Sequence, residues 1–194
     1  AAYFYRPGGV EGPRVPAVAV EGKGFEHTVF DTVLKEARRE DGSINYSFLK
    51  KNPAALDKYL GQLRAISPAS APHRFKSHSD RLAYYINAYN ALTVDLVAEN
   101  AGIATIMSLD EGKVWDTRTF TVAGQSLSLN GIEHTVLRPM GDPRVHAALN
   151  CASVGCPPLS PTAFSGDGLD AQLDAASKRW VETNAVTITP RGVQ

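Results

Sequence analysis

The stretch from Ser79 to Asn100 constrains the fold more than any other part of the chain. Leu82, Tyr85, Ile86, Tyr89, Thr93, Leu96 and Val97 recur at helical spacing. That period predicts a long amphipathic helix, and its apolar stripe must be covered by other elements. Ser77 or Ser79 can cap its start, and Gly102 can end it. Asn87 and Asn90 lie on its flank, with Tyr84 and Arg81. Asparagine is a poor helix former, because its short amide competes with the backbone. Two of them in one apolar helix point to a polar task. The task is to orient an imidazole, to bind a substrate carbonyl, or to fix packing through buried hydrogen bonds.

The remaining elements are shorter. Phe30, Val33, Leu34 and Ala37 predict a helix between Phe25 and Arg39, ended by Asp41-Gly42. Asn52-Pro53 reads as an N-cap followed by proline at the first helical position, before the apolar face of Leu56, Tyr59, Leu60 and Leu63. From Trp115 to Leu129 the period changes. Thr119-Phe120-Thr121-Val122 and Gln125-Ser126-Leu127-Ser128-Leu129 flank Ala123-Gly124, which predicts a β-hairpin.

Asn130 is expected to cap a short helix through Ile132, Val136 and Leu137, stopped by Pro139. Val145 to Leu149 reads as a buried strand, and Leu169, Leu173, Ala176 and Trp180 as a last helix. Val186-Thr187-Ile188-Thr189 reads as a final strand. Helices first and strands later favour an α+β fold, with a helical N-terminal part packed on a small, mostly antiparallel sheet. Residues 1–24, rich in proline and glycine, are expected to form an extended N-terminal arm, and residues 25–194 a single domain.

Composition narrows the function classes. Lys+Arg 20 balance Asp+Glu 20, so no field of one sign would draw in nucleic acid or an anionic membrane. No apolar run approaches the roughly 18 residues that a membrane span needs. The start at Ala1-Ala2 fits the small-residue end left by a cleaved signal peptide, which leads us to expect a periplasmic or secreted protein.

Chemistry concentrates at Asn150-Cys151-Ala152-Ser153-Val154-Gly155-Cys156-Pro157, which holds both cysteines. A nucleophilic Cys151 would need a base and donors for a developing oxyanion. Backbone amides of Ala152-Ser153-Val154-Gly155 could supply the donors. His134 and His146 are the candidate bases. On an extended strand His146 would stand about 17 Å from Cys151 and on the opposite face, so His134 on a separate helix is the better partner. Glu133 cannot share His134's direction on a helix and would orient another group, or simply cap or solvate the helix.

Cys151 and Cys156 could instead close a disulfide, which an exported location would permit and which would remove the nucleophile. A zinc site from Cys151, Cys156, His134 and His146 has suitable ligand types, but its spacing fits none of the common paired motifs. No metal or other cofactor is expected.

Three ordered motifs carry a resemblance. They are Arg81-Leu82-Ala83-Tyr84-Tyr85-Ile86-Asn87-Ala88-Tyr89-Asn90, then Ser128-Leu129-Asn130-Gly131-Ile132-Glu133-His134 with Leu137-Arg138, then Asp142-Pro143-Arg144-Val145-His146 running into the cysteine segment. From about Arg81 onward the chain resembles the domain-of-unknown-function 547 family. The resemblance implies a mainly bacterial, frequently exported protein. Its motif residues fall on Asn87, Asn90, Glu133, His134, Arg138, Asp142, His146, Asn150, Cys151, Ser153 and Cys156. The set invites comparison with papain-like and transglutaminase-like thiol enzymes, although both histidines here precede the cysteine. Family members usually continue beyond Pro190-Arg191-Gly192-Val193, so a closing strand and helix are expected to be missing.

The leading expectation is a thiol-dependent hydrolase or acyltransferase acting on an amide or peptide-like substrate. Cys151 would be the nucleophile and His134 the base, with Glu133 or Asn87 orienting and His146 in reserve. Tyr84, Asn90, Arg138, Asn150 and Ser153 would bind substrate. The alternative is a non-catalytic module that binds a small molecule or peptide and carries a structural Cys151–Cys156 disulfide.

Overall fold

The computed structural model describes residues 15–122, 124–153 and 155–183, and the backbone of Ile188–Thr189 and Gly192–Val193. Helices α1 (Thr28–Ala37), α2 (Tyr46–Lys51) and α3 (Ala54–Ala65) form the first layer. Asn45 caps α2 by accepting from the Phe48 amide at 3.1 Å. Asn52 does not cap α3. It ends α2, its side chain donating to the Phe48 carbonyl at 3.0 Å, and Pro53 takes the cap position of α3. Of the predicted N-terminal arm, residues 1–14 lie outside the described residues. Val15 to Gly24 have no regular structure but are tied down. The Val18 amide donates to Gly61 at 2.9 Å, and Arg74 donates to the carbonyls of Val20 and Gly24.

Helix α4 (His78–Glu99) is the axis of the domain. Ser77 and Asp80 close a capping box at its start, each side chain accepting the other residue's backbone N–H at 2.9 Å. The single stripe expected from the sequence understates its burial, because every residue from Leu82 to Leu96 is buried. Ala83, Ala88 and Ala91 let neighbours approach closely on the faces between the large side chains. A helix covered all round is a core helix, and its polar residues must find partners inside.

Helix α5 (Val114–Thr117) leads into strand β1 (Thr119–Val122), which pairs antiparallel with β2 (Gln125–Ser128). Phe120 faces Leu127 in register, and both are buried with Val122. This places the inner face of the hairpin against α3. Ala123 of the expected turn is outside the described residues. Ser128, not Asn130, caps the following helix α6 (Leu129–Gly131), accepting from the Gly131 amide at 3.0 Å.

The chain then loosens into a π-turn over Ile132–Leu137 and tightens into a 3₁₀ turn over Arg138–Met140. Pro139 sits within that last turn, and Gly141, at φ +91°, ends it in a conformation that favours glycine.

Residues Pro143–Ala148 form a 3₁₀ helix, not the strand that Val145 to Leu149 suggested. Asp142 caps it by accepting from the Arg144 amide at 2.9 Å, and Pro143 begins it. The short apolar run is buried, but periodicity alone cannot separate a buried strand from a buried helical turn. Helix α7 (Leu169–Thr183) packs on this turn. The last strands, β3 (Ile188–Thr189) and β4 (Gly192–Val193), pair antiparallel. Val186 and Thr187 of the expected strand lie outside the described residues. The fold is α+β, with two small antiparallel pairs beside a helical body. No helix among the described residues is long and apolar enough to cross a membrane.

Candidate active or binding site

The two asparagines of α4 act as clamps on loops. Asn90 donates to the Ala148 carbonyl at 2.9 Å and accepts from the Asn150 amide at 2.9 Å. Asn87 treats Phe164 the same way, donating to its carbonyl at 2.7 Å and accepting from its amide at 2.9 Å. An asparagine amide offers one donor end and one acceptor end, so it substitutes for a strand neighbour where the chain has none. Both residues are buried, and these bonds use both ends of each amide. Asn87 therefore orients backbone and not an imidazole.

Asn150 continues the clamp. Its side chain donates to the Pro157 carbonyl at 2.8 Å and accepts from the Ala152 amide at 3.0 Å. These bonds close the base of the loop 151–156, across which Cys151 and Cys156 form a disulfide with Cα atoms 5.9 Å apart. The Ser153 hydroxyl lies 3.1 Å from each sulfur. Ala152 is held at φ +58°, a region that costs a residue with a Cβ about 1 kcal/mol. Past the loop, Arg38 donates to the Leu159 carbonyl at 2.9 Å and Asp31 accepts from the Ala163 amide at 2.7 Å. Gly42, at φ +86°, is required here, since a Cβ would come within 2.8 Å of Pro158.

Beside this loop lies an open cleft of about 450 Å³, lined by Glu133, Arg138, Gly141, Asp142, Pro143, Val145 and His146. Glu133 links two of its lining residues. One carboxylate oxygen accepts from Arg138 at 3.0 Å and lies 3.7 Å from Nδ1 of His146. The Glu133 side chain is only 13% exposed, whereas Arg138 and His146 are 55% and 59% exposed. The carboxylate is thus a fixed anchor, and the two basic groups keep donors open to a ligand. Glu133 and His146 come from different elements, the π-turn over Ile132–Leu137 and the 3₁₀ helix over Pro143–Ala148.

Ion pairs join the cleft to α7. Arg144 bonds Asp142 at 2.8 Å, Asp170 at 2.7 Å and Asp174 at 2.6 Å, joining the 3₁₀ helix to α7. Hydrogen bonding to Arg144 holds the Asp142 carboxyl below the usual carboxylate range. The Trp180 indole donates to the Gly155 carbonyl at 3.1 Å, and its ring meets His146 edge to face at a centroid distance of 5.2 Å. Trp180 therefore touches the disulfide loop on one side and a cleft histidine on the other.

The structure brings together Glu133, Arg138 and His146, and separately Asn90, Asn150, Cys151, Ser153 and Cys156. His134 is exposed and does not line the cleft. Tyr84 is fully buried in an aromatic cluster with Phe25, Phe75 and Tyr85, donating to the Ile66 carbonyl at 2.7 Å, so it reaches no ligand. The strand argument against His146 does not apply, because a 3₁₀ helix rises only about 2 Å per residue. Val154 is outside the described residues. Among the described residues, no group of three or more His, Cys, Asp and Glu side chains is placed to hold a metal ion.

Residues that sequence reasoning passed over complete the site. Trp180 read only as a residue of the last helix. The Asp170 and Asp174 pair could have been noticed, since residues four apart on a helix share a face. The residue they serve, Arg144, lay in the third motif.

Comparison with known proteins fits this arrangement of motifs. A family model described as "Protein of unknown function, DUF547" matches residues 72–181, more than half of the chain. The chain belongs to the DUF547 family. The matched region covers α4, the cleft, the disulfide loop and nearly all of α7, so the DUF547 unit holds every residue that lines the cleft and both cysteines, while Asp31, Arg38 and Gly42 support the loop from outside it. No curated protein and no solved structure matches the chain. The likeness to papain-like and transglutaminase-like enzymes gains no support from these comparisons.

Proposed function

We propose that this DUF547 chain is a binding module that takes a small molecule or peptide in the Glu133–Arg138–His146 cleft. The observation that supports this most is the Cys151–Cys156 disulfide, because a bonded sulfur cannot attack. The cleft volume lies within the usual range for small ligands. Glu133 offers acceptor lone pairs, while Arg138 and His146 offer donors at its rim. An amide or peptide, which has both an N–H and a C=O, matches that set. A thiol count under denaturing conditions tests the reading. Protein isolated without reductant should show no free thiol, and a full equivalent of thiol at each cysteine would count against it.

The thiol-dependent hydrolase or acyltransferase is the second reading, and one contact favours it. A carboxylate held beside an imidazole is the arrangement that orients a catalytic base. In reduced protein, Cys151 would be the nucleophile and His146, held by Glu133, the base. Iodoacetamide should then modify Cys151 faster than a free-thiol standard near neutral pH. Modification at or below the standard's rate would remove this reading.

A further inference from the structure

We infer that the Cys151–Cys156 disulfide is a reducible latch whose state is transmitted to the binding cleft through Trp180. The inference rests on the cleft reading above and adds its regulation. Four observations support it. The loop is open to attack, with Ser153 and Gly155 exposed and both cysteines only partly buried. It stores backbone strain at Ala152, whose φ of +58° is unfavourable for a residue with a side chain. Its Gly155 carbonyl accepts the indole N–H of Trp180 at 3.1 Å. The same indole packs edge to face on His146, whose Nδ1 lies 3.7 Å from the Glu133 anchor. Solvent-accessible disulfides are the labile ones. Each later link in this chain is a direct contact.

The chemistry is thiol–disulfide exchange with a small thiol or dithiol as the reductant. The reductant thiolate attacks one sulfur, forms a mixed disulfide and breaks the Cys151–Cys156 bond. The electron pair leaves on the other cysteine sulfur, which takes a proton from solvent. A second reductant thiol attacks the mixed disulfide, frees the remaining cysteine as a thiol and leaves as oxidised reductant. The Ser153 hydroxyl lies 3.1 Å from both sulfurs, so it can donate a hydrogen bond to whichever leaves as thiolate. Once open, the loop is no longer held at Ala152 by the crosslink, and the Gly155 carbonyl can leave Trp180. Anchors at the loop base remain, since Asn90 bonds Ala148 and Asn150, and Asn150 donates to Pro157, all outside the crosslinked loop. Reduction should thus release the loop without unfolding the domain.

The test follows the full chain by NMR during titration with dithiothreitol and then with oxidised glutathione. The Trp180 indole N–H and the His146 ring resonances report the relay. The expected result is reversible reduction at neutral pH, with both sets of resonances moving and the rest of the spectrum retained. Replacing both cysteines by serine should reproduce the reduced positions, and Ser153→Ala should slow reduction roughly two- to fivefold. Should the double variant fail to fold, the reduced native chain gives the same comparison. A disulfide that resists dithiothreitol in the folded protein, or Trp180 and His146 resonances identical in the two states, would overturn the inference. No ligand is needed for these readouts. Their failure would leave ligand binding in the cleft standing, and failure to bind a ligand would leave the latch standing.

Discussion

Asn90 holds Asn150 by its backbone, accepting the Asn150 amide at 2.9 Å while donating to Ala148 two residues earlier. One buried side chain on the central helix thereby fixes where the cysteine loop begins. Replacing Asn90 by alanine leaves the buried Ala148 C=O and the half-buried Asn150 N–H without these partners. Each unsatisfied group costs about 1–3 kcal/mol, so Asn90→Ala should lose about 2–4 kcal/mol of stability. Urea denaturation of the two proteins checks this, and a change within 0.5 kcal/mol (about the scatter of surface substitutions) would contradict the clamp.

The anchor of the cleft can be tested separately from the fold. Glu133→Gln keeps the shape but removes the charge that meets Arg138 and His146. Stability should change by no more than about 1 kcal/mol, because the Glu133–Arg138 ion pair is partly exposed. Affinity for an amide ligand should fall roughly tenfold, the loss expected for one charge-assisted hydrogen bond. Calorimetry on both variants measures the two quantities.

Much of this arrangement was legible in the sequence, for reasons that differ by element. The long helix announced itself because its apolar spacing runs without a break, and Ser77, one of the two caps the sequence offered, does start it; the Asp80 half of the capping box was not read. The hairpin was legible because alternation over Thr119–Val122 and Gln125–Ser128 brackets a turn signal. The 3₁₀ helix over Pro143–Ala148 was not, since six residues are too few for a period to emerge. That error shifted attention to His134 and away from His146. Trp180 was not legible as part of the site either, because its partners Gly155 and His146 are 25 and 34 positions away in sequence and meet only in the folded chain.

Asp95 should make stability fall as pH rises. Burial first, and then Glu99 and Asp57, push its carboxyl up to about 7. Its folded value exceeds its unfolded one, so the contribution is full below about pH 4 and is lost as pH rises through 7. Asp95→Asn removes that loss. The stability of the variant relative to the native chain should grow by about 2–4 kcal/mol from pH 4 to pH 8. A difference that stays constant with pH would show that the carboxyl is not held neutral.

His27 should act in the opposite sense. Burial lowers its imidazole to about 4, with Asp80 opposing, and its Nδ1 lies 2.7 Å from the Tyr59 hydroxyl. Its folded value is below its unfolded one, so its contribution is present above about pH 6.5 and is lost as pH falls toward 4. Between pH 7 and pH 5 the native chain should lose about 2 kcal/mol relative to His27→Gln. Parallel stability curves for the two proteins would contradict this.

The central claim is that the Glu133–Arg138–His146 cleft binds an amide-like ligand while the neighbouring cysteines are joined. The most direct measurement is an NMR titration of the oxidised chain with a panel of N-acetylated amino-acid amides. The account expects at least one member to give saturable shifts centred on Glu133, Arg138 and His146, abolished or strongly weakened in Glu133→Gln. Shifts confined to other parts of the surface, or no saturable shift with any member of the panel, would contradict it.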